Sequence, residues 1–120
     1  MTSYVVLLPG DESAWETAPE ALKRDMYARH AEFARLLDER GHKVTGGAEL
    51  APSSEARVLR TLDDGAQSVT QGPYAETAEQ LTGFYVVESD DLEDLIEVCK
   101  VLGKGERVIE IRACRPGMSS

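Results

Sequence analysis

The hydrophobic pattern of the chain predicts one α+β domain in which two amphipathic helices cover one face of an antiparallel sheet. Three observations predict it. Runs rich in β-branched, apolar or aromatic residues recur at 4–8, 83–88 and 108–113. Two longer segments carry apolar residues at helical spacing. A length of 120 residues with 42% hydrophobic and 29% charged residues is the ordinary make-up of a single folded domain.

Taken in order, Tyr4 to Leu8 is apolar almost without interruption, which predicts a central strand, and Pro9-Gly10 is expected to close it. Pro19 suits the first turn of a helix, where its missing N–H has no partner, and Leu22, Met26, Phe33 and Leu37 then form a buried stripe. Gly41 stands where a left-handed C-cap ends such a helix. Residues 44–50 and 57–62 read as modest strands, and Asp63-Asp64-Gly65 supplies a tight turn into 67–70, so a hairpin is expected there. Gly83 to Glu88 reads as a buried strand. Asp90 with Glu93 offers a capping box to a second helix whose stripe is Leu92, Leu95, Ile96, Cys99 and Leu102. Val108 to Ala113 alternates Ile109 and Ile111 with Glu110 and Arg112, as a half-buried strand does. The order β-α-β-β-(β)-β-α-β is that of a ferredoxin-like sandwich. Its sheet has one face without helices, and a second copy of the chain is the simplest cover for it.

The charge balance excludes several function classes. Twenty-two acidic residues against 13 basic give a net charge of -9, with no basic stripe to neutralise phosphates, so neither nucleic acid nor an anionic membrane is an expected partner. The longest apolar run, Val5 to Leu8, is far short of the ~20 residues that span a bilayer. The opening Met1-Thr2-Ser3-Tyr4 lacks the features of a secretory signal, which predicts a cytoplasmic protein with Cys99 and Cys114 as free thiols. No metal site and no cofactor is expected, because two distant histidines lack paired cysteines and no phosphate-cradling glycine loop occurs.

His30 is the leading candidate for chemistry, lying four residues after Met26 and three before Phe33 on the apolar side of the first long helix. It is either a hydrogen-bonded core residue or a proton-transfer group held by a carboxylate. Asp11, Glu12 and Glu76 are the carboxylates considered. Trp15 either walls an apolar site or anchors its loop, and Tyr85 reads as a packing residue. Arg112 pairs within the protein or with an anionic ligand. His42 reads as a solvated turn residue, and Cys99 as inert packing.

The segment from Thr70 to Phe84, TQGPYAETAEQLTGF, resembles without a gap the signature TDGPFAETKEQLGGF of the YCII-related (DGPF) family. Gly10-Asp11-Glu12 with Trp15, the helix segment Arg29 to Phe33, Val87 to Glu93 and the terminal Glu110-Ile111-Arg112 extend the likeness over nearly the whole chain. It implies a YCII-related domain over residues 1–114, followed by a flexible tail, 115–120. It also implies a homodimeric α/β barrel with a small-molecule pocket between sheet and first helix; Tyr74, Gln80, Trp15, Tyr85 and Arg112 are the ligand contacts expected of this chain. Some members are thought to act as lyase-like or dehalogenating enzymes on small ring compounds, and others are encoded near extracytoplasmic-function sigma factors. Two functions follow as expectations: a cofactor-independent lyase or isomerase using His30 on a small organic ligand, or a non-catalytic binding or regulatory module. The chain departs from the signature at Gln71, Tyr74, Ala78 and Thr82. Family members that pair the helix histidine with an aspartate near the end of the second helix have it where this chain offers Lys100 to Gly105, so the acid is expected to be absent.

Overall fold

The computed structural model describes residues 1–117. Six strands and three helices follow in the order β1 (Thr2–Asp11), α1 (Glu12–Glu16), α2 (Glu20–Glu39), β2 (Lys43–Glu49), β3 (Arg57–Thr61), β4 (Gln67–Gln71), β5 (Glu79–Ser89), α3 (Leu92–Cys99) and β6 (Glu110–Ala113). The main sheet has the order β2-β5-β1-β6 with every pair antiparallel, and β1 is central as expected. This is the strand order of a ferredoxin-like fold in which β3 and β4 are an inserted hairpin, paired with each other in a separate two-stranded sheet.

Several boundaries differ from expectation for physical reasons. Pro9-Gly10 does not end β1. A register shift between Leu8 and Pro9 accommodates the residue without an N–H, and pairing continues with Pro9 opposite Leu81, Gly10 opposite Gln80 and Asp11 opposite Glu79. The extended strand delivers Asp11 as the N-cap of the unforeseen helix α1, its carboxylate accepting from the Ala14 N–H at 3.2 Å. The cap of α3 is Asp91 rather than Asp90, accepting from the Asp94 N–H at 3.1 Å. Leu102 lies just beyond α3 in a 3-10 turn, Leu102–Lys104. Gly41 has φ of 85°, the left-handed conformation expected at the end of α2.

The core lies between the sheet and helices α2 and α3. Val6, Leu8 and Val87 point from the sheet toward Phe33 and Leu37 of α2 and Leu95, Val98 and Cys99 of α3. Burial raises the Cys99 thiol to about 11, in keeping with packing rather than reactivity. Register puts Val5, Leu7, Phe84 and Val86 together on the opposite face, where no helix among the described residues covers them and all four are half-buried. Arg112 and Glu110 flank them, paired with each other at 2.5 Å. No helix among the described residues is long and apolar enough to cross a membrane. The expected tail, 115–120, lies outside the described residues over its last three positions.

His42 is a correction. Instead of facing solvent it is 6% exposed, sharing hydrogen bonds through Nδ1 with the Ser89 hydroxyl at 2.8 Å and through Nε2 with Asp94 at 2.7 Å. Arg40 also pairs with Asp94. The chain turning out of α2 folds back under α3, so a residue read as a turn position becomes part of a buried, fully partnered network.

Candidate functional site

A cavity of about 820 Å³ opens between helices α1 and α2 and the ends of β1, β2 and β5. Its walls are mainly apolar: Trp15, Leu22, Met26 and Pro52 all contribute. Leu22, expected in the buried stripe of α2, is 52% exposed because it faces this opening. Trp15 packs edge-on against Tyr27, ring centroids 5.7 Å apart, and the Tyr27 hydroxyl donates to Glu49 at 3.1 Å. Glu12 accepts from the backbone N–H and hydroxyl of Ser53 at 2.7 and 2.6 Å, tying α1 to the loop after β2.

His30 reaches the cavity from the middle of α2 and meets two other groups there. Its Nδ1 is 2.6 Å from the hydroxyl of Tyr85, whose ring lies nearly parallel to the imidazole. Its Nε2 is 3.5 Å from a carboxylate oxygen of Glu106. Each contact has a local cause. Tyr85 is on the inward face of β5, and Phe33, one helical turn from His30, tilts against its ring at a centroid distance of 5.0 Å. Glu106 follows the 3-10 turn after α3, its N–H donating to the Leu102 carbonyl at 2.8 Å. Gly105 passes over Met26 of α2, a Cβ at residue 105 falling on the thioether sulfur, and residue 106 follows directly beside the helix.

The electrostatics follow from this placement. The Glu106 side chain is only 15% exposed, and a carboxylate beside Nε2 favours a proton on that nitrogen. Nδ1 is then the acceptor for the Tyr85 O–H. Burial, and secondarily the charge of Glu106, push the Tyr85 phenol above its ordinary range. Because the raised value belongs to the folded state, the resulting stabilisation is present below the unfolded value of ~10 and is lost as pH rises through the folded one. Ultraviolet titration of tyrosinate is expected to show a late-ionising step that Tyr85→Phe removes.

A second cleft of about 670 Å³ lies on the other side of Asp11 and Glu12 and is lined by the loop after β4, including Gly72 and Glu76, and by Gln80 at the start of β5. The structure thus brings His30, Tyr85 and Trp15 to one cavity, with Asp11 on its rim, and places Glu76 and Gln80 in the other cleft. Among the described residues no hydrogen bond joins Asp11, Glu12 or Glu76 to His30: Asp11 caps α1, Glu12 holds Ser53, and Glu76 is exposed in its loop. Tyr74 is 81% exposed beneath the Arg60 guanidinium, and Arg112 points from the far face of the sheet. The carboxylate that does meet His30 is Glu106, one residue beyond the stretch Lys100 to Gly105. The signal that could have found it is its position as the first carboxylate after the end of the second helix.

Comparison with known proteins agrees with the likeness read from the signature. The sequence model of the YCII-related domain matches residues 2–112. An uncharacterised protein of Rhizobium meliloti (strain 1021) is 35% identical over 103 residues, covering 82% of this chain and 78% of that protein.

Proposed function

The chain belongs to the YCII-related domain family, and from that premise we propose that it is a cofactor-independent lyase or isomerase that moves a proton on a small organic, cyclic substrate. The observation that carries this reading is the run Tyr85–His30–Glu106 in the wall of an apolar cavity large enough for such a ligand. In this mechanism the Tyr85 oxygen faces the reacting atom. As it takes a proton from the substrate, its own proton passes to Nδ1 of His30, and Glu106 compensates the charge of the imidazolium that forms. Return of the proton to another atom gives an isomer, and loss of a leaving group before its return gives an elimination product.

The substrate is neutral or cationic in this reading. Asp11, Glu12, Glu16, Glu49, Glu79 and Glu106 line the cavity against Arg107, and a carboxylate or phosphate would enter against their field. The working unit is taken to be a dimeric α/β barrel, with Val5, Leu7, Phe84 and Val86 of each sheet packed on a second copy.

Proton NMR in deuterated water tests the proposal, with cyclohexanone and butyrolactone as probes whose protons beside the carbonyl exchange measurably. The protein is expected to accelerate deuterium uptake, and His30→Ala to lose about 10²- to 10⁴-fold of that acceleration with an unchanged circular dichroism spectrum. Equal rates for wild type and His30→Ala would remove His30 from the mechanism. Saturable binding of the probes with no exchange at all would instead mark a non-catalytic binding module.

A further inference from the structure

We propose that the β3–β4 hairpin is a dimer arm whose Leu59 and Val69 face packs on a second copy of the chain. The hairpin stands away from the body of the molecule. Its strands pair with no other strand among the described residues, and of their ten residues only Val58 is half-buried while the others are exposed. Leu59 and Val69 are directly opposite one another in the ladder, 60% and 63% exposed, and Leu62 near the tip is 58% exposed. The other face of the hairpin is already engaged: Arg60 donates to the Thr70 hydroxyl at 3.1 Å and to the Tyr74 carbonyl, drawing the following loop across it. The bare face carries the Leu59–Val69 pair at its centre, between the polar pairs Arg57–Gln71 and Thr61–Gln67. An isolated two-stranded hairpin is at best marginally stable in water, so this one gains its order from something that covers it.

Shape and area point to a second copy as that cover. The radius of gyration is 16.5 Å, against about 14 Å for a compact domain of this length. The shortest dimension is only 17 Å, a single layer of helices on a sheet. The accessible surface is 8249 Å², roughly 1,900 Å² more than the ~6,400 Å² of a compact monomer of this mass. An ordinary interface takes about 800 Å² from each partner, and permanent ones take more.

This inference rests on the dimeric reading above, and one experiment separates the two. Sedimentation of the full chain over a wide concentration range is expected to give twice the chain mass for the wild type. The double variant Leu59→Asp, Val69→Asp is expected to raise the dimer dissociation constant at least about tenfold, and to expose the amides of residues 57–71 to faster hydrogen exchange. Leu59→Thr with Val69→Thr, which preserves strand propensity, is expected to weaken the dimer in the same direction. A wild type that is monomeric throughout would overturn the dimer and the arm together. A dimer equally tight in wild type and both variants would overturn the arm alone, leaving the sheet faces as the interface.

Discussion

Glu106→Gln is expected to lower the His30-dependent exchange rate by about 10²-fold while leaving the fold intact. The substitution keeps size and hydrogen-bonding capacity but removes the charge 3.5 Å from Nε2, so the imidazolium formed during transfer loses its compensation. Asp11→Asn and Glu76→Gln are the controls. Asparagine still caps α1, and Glu76 lies in the other cleft, so both are expected to stay within about twofold of wild type. If one of those variants produced the large loss while Glu106→Gln did not, the carboxylate would be misassigned. A kcat fall with little change in KM is the expected form, because the charge matters most after the proton has moved.

Phe33→Ala is expected to have the largest effect on stability, costing about 3–5 kcal/mol. Phe33 is fully buried at the centre of the contact between α2 and the sheet, and a domain of this kind has only about 5–15 kcal/mol in all. Its ring also supports Tyr85, so the cavity left behind undermines the hydroxyl that holds His30. Phe33→Leu separates the two effects. It is expected to unfold in urea at a midpoint between wild type and Phe33→Ala, with its exchange activity falling further than its stability. A leucine variant with full activity would show that Tyr85 is positioned by the sheet alone.

The sequence was most legible where burial imposes a period. Val6 and Leu8, Phe33 and Leu37, and Leu95 and Cys99 recur at strand or helix spacing because each element has one inward side, and these residues form the core. Local turn chemistry was legible too, as at Gly41 and in the Asp63-Asp64-Gly65 hairpin turn. What failed depends on contacts distant in sequence. Pro9 reads as a stop until the partner strand is known to tolerate a bulge beside it. The hairpin pairs as expected, yet nothing local says that it leaves the main sheet. Tyr85 lies 55 residues from His30, and Glu106 has the sequence character of a solvated loop charge. The 3-10 turn after α3, closed by the Glu106 N–H on the Leu102 carbonyl, turns that charge into a neighbour of the imidazole. His42 was misread for the same reason, its partners Ser89 and Asp94 lying 47 and 52 residues away.

Long-range proton–nitrogen NMR correlation of the His30 imidazole tests the central arrangement most directly, since it reports which ring nitrogen carries the proton without requiring a substrate. The expected result is a proton on Nε2, facing Glu106, with Nδ1 accepting from Tyr85, and loss of that preference in Glu106→Gln and in Tyr85→Phe. A ring protonated at Nδ1 in the wild type, unchanged by both substitutions, would contradict the proton path from Tyr85 through His30 to Glu106.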